Sequence, residues 1–562
     1  MVDPISVITT KLRKKLESAP IAFFSAEYAL EDNLPIYAGG LGVLAGDFLL
    51  GAAHESLPVV AIGLFYRNGF ETFRSGSAPH AALDPVSSGF TLLTDEAGTA
   101  LKLEVELDNR RVAIQAWTKT YNTVRLFLLD TNVKPNSFSD RAITAFLYPA
   151  EFRIKLLQEI IFGIGGIKLL RYLGIFPAVY HLNEGHAGFV ALALVIEYLH
   201  DHPDEKNFEA ALQKTKHLIV ATKHTVLPES GLFFTRNDFQ GTLDAYLSRH
   251  NVKFEDFCAL GQFEQNPELF SMTRFLLKSA IRANGVSHLH AFFEKQIHAQ
   301  SELFPITNAI DQKRWLSPLL AGKNPSTLAG QELWNLRARQ RQILLGFLQQ
   351  KTNITLNPEA LTMVWARRFA AYKRPGILFN DLKRLEKLLF PKNRPVQVII
   401  AGQPNVADED GVKLLKHLAA YTQLSAFKNK VICLPEYSLA IARELVRGAD
   451  LWLNTSVRGK EASGTSGMKS ALNGGLQFTT SDGWADEVDW GDKGWVLPES
   501  NPEAALYDML DQEIVPLFFE RDGAGLPQNW ISRMRRSMQF VSENYTTRRM
   551  LQEYLSKLYF PV

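Results

Sequence analysis

Short apolar runs rich in β-branched and aromatic residues recur through the first half of the chain, at 21–24, 59–65, 112–117, 123–129, 178–182 and 218–222, each ahead of turn-forming residues. Runs of that kind, closed by turn signals, predict buried strands. Between them lies 186–200, apolar on almost every side, which predicts a helix enclosed by protein. The combination predicts an α/β sheet covered on both faces. From Glu302 the text changes. A polar-faced helical stretch at 337–351 precedes a second series of strands at 361–366, 396–401, 431–434, 450–453 and 475–479, with amphipathic helices such as 409–421 and 438–447 between them. Strands alternating with helices in this way predict a parallel, doubly wound domain. The boundary is placed near Trp315, giving domains 1–316 and 317–562, with a final helical segment at 527–558 that packs across both. No internal repeat or low-complexity tract interrupts the pattern.

At 562 residues the chain exceeds what one hydrophobic core sustains, which agrees with two domains. Hydrophobic residues make up 46% and charged residues 21%, an ordinary globular balance. Lys and Arg total 61 against 59 for Asp and Glu, so no overall field draws nucleic acid or an acidic membrane, and any basic site is local. Cys258 and Cys433 are the two cysteines, too few for a disulfide framework or a cysteine metal site; a reducing cytoplasm is expected. The N-terminus lacks the basic-then-apolar order of an export signal. The apolar stretches 160–167 and 189–196 fall well short of the roughly 20 residues that a membrane span needs.

Three segments carry candidate chemistry. Glu461-Ala-Ser-Gly-Thr-Ser-Gly-Met-Lys469 follows a predicted strand and leads into a predicted helix at 469–473. Its small residues would let backbone N–H groups reach an anion, although Gly and Ser runs also make plain turns. Ala366-Arg-Arg-Phe-Ala-Ala-Tyr-Lys-Arg374 sets four cations beyond the C-terminal end of another strand, where open α/β sheets bind ligands. Forked Arg donors and a compact Lys charge suit phosphates, and a solvated basic helix end is the plainer alternative. Gly39-Gly-Leu-Gly42 likewise reads as an anion loop or a packing turn. His181 and His186 stand five apart but form no H-E-x-x-H pattern, so no metal is expected. No carboxylate pair of the sort a retaining hydrolase uses stands out.

EASGTSGMK followed by SALNG resembles the cofactor segment of the α-glucan phosphorylases. The similarity extends, in family order from about residue 21 to 490, through SAEYALEDNLPIYAGGLGVLAGDFL, HLNEGHAGF, KHTVLPE, TNAIDQKRWL, ARRFAAYKR, AGQPNVADEDG and LPEYSLAIARELVRGADLWLN. The resemblance implies two Rossmann-like doubly wound α/β domains facing a central cleft, the GT-B glycosyltransferase architecture. It implies pyridoxal 5′-phosphate held as a Schiff base on Lys469, with Gly464, Thr465 and Ser466 around it and Arg367 on its phosphate. Arg368, Lys373 and the N–H of Gly40 would hold the substrate phosphate. Tyr372, His224 and Asn308 would contact the sugar, and Glu461 its hydroxyls together with backbone groups of Ser463 and Gly464. The implied reaction is phosphorolysis of a terminal α-1,4-linked glucose to α-D-glucose 1-phosphate with retention, in a cytoplasmic homodimer. Two rivals share the architecture: a nucleotide-sugar glucosyltransferase of glycogen-synthase type, against which Lys469 argues, and a glucan-binding homologue without catalysis. Lys223, where the family usually has a small polar residue or Asn, Ala309 for a usual glycine, and Ala485 for a usual tryptophan keep the second rival open.

Overall fold

The computed structural model describes residues 9–70, 82–226, 232–263, 266–297, 303–406 and 408–561. The Leu-Pro-Glu end of KHTVLPE and Ala407 of AGQPNVADEDG lie outside them. Described residues up to Thr307, joined by those from Thr547 onward, form one unit, and Asn308–Thr546 form the other.

In the first unit the strands are β1 (Ile21–Ser25), β2 (Val59–Leu64), β3 (Thr91–Leu92), β4 (Leu103–Leu107), β5 (Arg110–Tyr121), β6 (Val124–Asp130), β7 (Val179–Asn183) and β8 (Ile219–Lys223); the six apolar runs fall on all of these but β3 and β4. A small antiparallel sheet follows, β9 (Phe233–Thr235), β10 (Gln262–Phe263) and β11 (Asn266–Ser271), then β12 (Arg282–Gly285) and β13 (Leu303–Pro305). Among the described residues the main sheet has ten strands in the order β13-β12-β8-β7-β1-β2-β6-β5-β3, with β4 against β5. Pairing is parallel from β13 to β6. It turns antiparallel beyond, because Asn122 at φ 54 folds β5 back on β6 as a hairpin. Both of those strands read from sequence as ordinary buried strands, since an apolar run does not carry its direction. The helix predicted from His186 begins at Phe189, after a single tight turn at Gly185–Ala187 that follows Glu184 at φ 78. From Phe189 to Ile196 every residue is buried, as its unbroken apolar surface predicted.

The second unit is built on β14 (Leu361–Ala366), β15 (Val396–Ala401), β16 (Val431–Leu434), β17 (Leu451–Asn454), β18 (Leu476–Thr479) and β19 (Gly494–Val496). All pairs are parallel, in the order β16-β15-β14-β17-β18-β19. This is the Rossmann-like doubly wound order, with its topological switch point between β14 and β17. The ends of β14 and β15 approach closely: Gly402 sits at φ 153, and a Cβ there would lie 1.9 Å from the Arg367 carbonyl oxygen. Only glycine satisfies both conditions.

The final segment divides. Trp530, Met534 and Met538 of the helix Gln528–Asn544 fill the second unit's core. Beyond Thr547 the chain belongs to the first unit. There Thr222 donates to Asn284 Oδ1, so the fully buried His181 donates from Nε2 to the Thr222 hydroxyl at 2.7 Å and accepts the Tyr559 hydroxyl at Nδ1, also at 2.7 Å. Burial drives this imidazole down to about 3, which keeps it neutral.

Candidate active site

The switch point of the second sheet is where the predicted cations and the small-residue loop meet. As β14 ends, Arg367 N–H bonds the carbonyl of Ala401, and Phe369 buries its ring against Trp365 with centroids 5.5 Å apart. That anchor turns Arg367 inward and Arg368 outward: Arg367 is buried and Arg368 is exposed. Arg374, at φ 49, donates to the carbonyls of Thr455 and Ser456, and the Thr455 hydroxyl donates back to Lys373 O. The basic loop is thereby clamped onto the end of β17.

Arg367 reaches Asn454 Oδ1 with one nitrogen and Glu461 Oε1 with another. Lys373 Nζ lies 3.2 Å from the same carboxylate oxygen and 5.2 Å over the ring of Tyr372. Burial alone would raise Glu461, but the two cations outweigh it and hold the carboxylate down to about 2. Behind it, Asp482 accepts the N–H groups of Gly459, Glu461 and Gly483. Burial and the Glu461 charge push Asp482 up to about 7.

The loop after Glu461 is closely fitted. A Cβ on Gly464 would sit 2.5 Å from Glu461 Oε1 and 2.6 Å from Arg367 Nη2. Asn308 donates to the Ser463 carbonyl at 3.0 Å. The helix Ser466–Leu472 starts with no side-chain cap from Thr465 and carries Lys469, whose buried Nζ lies 4.1 Å over the ring of Trp315. Glu461 Oε2 and Ser463 Oγ are buried with no hydrogen bond among the described residues. A buried amine, uncapped N–H groups, unsatisfied polar atoms and adjoining cations fit a phosphorylated aldehyde cofactor.

In the first unit, Gly40 opens the helix Gly40–His54, and Glu27 fixes the approach by accepting the N–H of Ala38 at 2.7 Å and of Gly39 at 3.2 Å. A Cβ on Gly39 or Gly40 would meet nothing within 4 Å. His224 leaves the end of β8 half-buried. Glu184, strained at φ 78, accepts the N–H groups of His224 and Thr225 at 2.6 Å each. Its carboxylate stays down at about 2, since Lys223 and His224 outweigh burial. Asn183 Nδ2 donates to Ser25, which orients its oxygen towards His224 Nε2 at 2.7 Å. Burial drives His224 down to about 4, so the ring is neutral and presents Nδ1 as an acceptor.

Of the residues the sequence singled out, the structure sets Arg367, Arg368, Lys373, Tyr372, Glu461, Ser463, Gly464, Thr465, Ser466, Lys469 and Asn308 in the second unit, and Gly40 and His224 on two loops of the first. Sequence reasoning missed Asn454, Asp482 and Trp315. Asn454 ends β17 and Asp482 lies in the turn after β18, both on the C-terminal side of strands, a positional signal; Trp315 carries none. His181 and His186 diverge, the latter turning to Glu159 at 3.0 Å.

A parallel sheet with clustered cations and a small-residue loop at its switch point has the place and the chemistry of an anion-binding site, and comparison with known proteins says which family carries it. Residues 319–489 match the family model for carbohydrate phosphorylase. The chain is 33% identical to a glycogen phosphorylase of Mycobacterium bovis, over 96% of its own length and 71% of that protein's. It is 32% identical to a maltodextrin phosphorylase of Thermococcus litoralis, over 96% and 70%. A glycogen phosphorylase of Aquifex aeolicus is 29% identical over 96% and 86%. The chain belongs to the carbohydrate phosphorylase family.

Proposed function

We propose that the protein is a pyridoxal-phosphate-dependent glucan phosphorylase that releases α-D-glucose 1-phosphate, with retention, from the end of an α-1,4-glucan such as glycogen or maltodextrin. The observation that carries this reading is the convergence of Arg367, Lys373 and Glu461 beside the Lys469 loop. Two phosphates side by side repel by about 4 kcal/mol per pair of unit charges at 4 Å and an effective dielectric near 20, so a site for both needs flanking cations.

Arg368 projects outward with no bond to a carboxylate among the described residues, and its forked donors suit the substrate phosphate, with Lys373 and the Gly40 N–H. Arg367 and the N–H groups at Thr465 and Ser466 would hold the cofactor phosphate, and Lys469 its aldehyde. When bound, the cofactor supplies a phosphate that gives and takes a proton. Glu461, ionised and paired, accepts sugar hydroxyls, joined by the backbone of Ser463 and Gly464. Tyr372 and Asn308 line the same loops, and the neutral His224 Nδ1 accepts a hydroxyl. The protein's share of catalysis is positioning and electrostatics.

The test incubates purified protein, loaded with pyridoxal phosphate, with maltodextrin and inorganic phosphate. Glucose 1-phosphate is expected only when phosphate is present, and a cofactor fixed by borohydride should map to Lys469 with substantial phosphorolysis left. A nucleotide-sugar requirement, no reaction, or a label on another lysine would overturn the reading.

A further inference from the structure

We infer that Lys223 is a positioning residue that sets the backbone and ring of His224, acting through a buried ion pair with Glu294. The inference deepens the glucan reading above and rests on it for the identity of the sugar. Lys223 ends β8, and its side chain is 6% exposed. Its Nζ lies 2.6 Å from Glu294 Oε2 and donates to the Thr225 carbonyl at 2.5 Å. The ammonium therefore spans the residue of interest: it is attached on one side of His224 and bonded to the peptide on the other. Glu184 completes the hook by taking the N–H groups of His224 and Thr225. The N–H of His224 and both the N–H and the carbonyl of Thr225 are thus held by charged partners, the strongest kind of hydrogen bond that a side chain gives a backbone.

Glu294 lies on the helix His288–Ile297 and is wholly buried. His290, one turn earlier, takes the Val286 N–H at Nδ1 and so faces Glu294 with its protonated Nε2 at 3.6 Å. The chain of contacts runs from that helix through Glu294 and Lys223 to the Thr225 carbonyl. Lys223 is spent on these partners, which argues against a direct contact between its ammonium and a substrate phosphate. Its side chain replaces the short one expected at this position, and its counter-charge comes from a helix distant in sequence.

The experiment is a double-mutant cycle on the cofactor-loaded full chain, read both as steady-state phosphorolysis and as calorimetric Kd for maltoheptaose. Lys223→Met should lower kcat/KM for maltodextrin and weaken maltoheptaose binding by about tenfold or more, with KM for phosphate changing by less than about threefold. In a His224→Ala background the same change should add less than about twofold, since its effect travels through His224. Lys223→Met also leaves the Glu294 carboxylate short of its cation and should lower the melting temperature. The pair Lys223→Met/Glu294→Gln should recover that temperature but not the glucan affinity, which covers the case in which the single variant folds poorly. Wild-type glucan affinity in either variant, or a full additive loss in the His224→Ala background, overturns the inference. A chain that binds maltoheptaose, keeps the cycle and yet performs no phosphorolysis would sink the activity reading alone. Phosphorolysis with an additive cycle would sink the Lys223 inference alone.

Discussion

At the scale of single residues, Glu461 decides how the site is charged. It counters Arg367 and Lys373 with one oxygen, and the other is buried with no hydrogen bond among the described residues. Glu461→Gln keeps the shape, removes the charge and should reduce kcat/KM for maltodextrin by about 10- to 100-fold, as expected for loss of charge-assisted hydrogen bonds. Cofactor content, read from its near-ultraviolet absorption, should be unchanged; loss of cofactor with full specific activity after reloading would refute the sugar-binding role. Much at this scale was legible because the cations are sequence neighbours and a cluster of four is conspicuous. What pairs with them was not. Asn454 and Asp482 are brought in by β17 and by the turn after β18, and Glu294 meets Lys223 only because β8 and β12 are neighbours with the following helix packed behind. Contacts across strand order carry no mark in the local text.

At the scale of elements, the second sheet was readable almost strand by strand, since β14 to β18 are short apolar runs bounded by turns and all are buried centrally. β19, three residues with glycine first, offered no such run. Gly402 is the element-scale hinge pin of the site, because it lets the basic loop leave β14 directly against β15. Gly402→Ala has no room for its methyl and an unfavourable backbone angle, so we expect a loss of about 3 kcal/mol or more in urea unfolding. A variant within about 0.5 kcal/mol of wild type would show that the loop rearranges freely.

At the scale of the whole molecule, stability is tied to protonation through the interior of the first unit. The native fold keeps His181 neutral down to about 3, whereas the unfolded chain protonates near the ordinary 6.5. Protons therefore favour unfolding across that window: the contribution of His181 is fully present above about 6.5 and is lost as the pH falls, at about 1.4 kcal/mol per pH unit. Between about pH 5.5 and 6.5 the low-lying Glu184 and Glu461 are ionised in both states and add little to the slope, whereas His224, held down to about 4, adds in the same sense as His181 and Asp482, pushed up to about 7, acts in the opposite sense. His181→Gln should flatten the dependence of unfolding free energy on pH in that interval, and an unchanged slope would contradict the burial argument.

The partners of His181 also set an order of events during synthesis. Tyr554 and Tyr559, which pack against its ring, come from the segment beyond Thr547 that belongs to the first unit. That segment is translated only after all of Asn308–Thr546. A nascent chain with β1 to β13 already outside the ribosome still has an open seam beside His181 and Thr222. The first-made unit is therefore the last to be completed, and a ribosome that stalls before Thr547 releases a chain whose earliest half is unfinished.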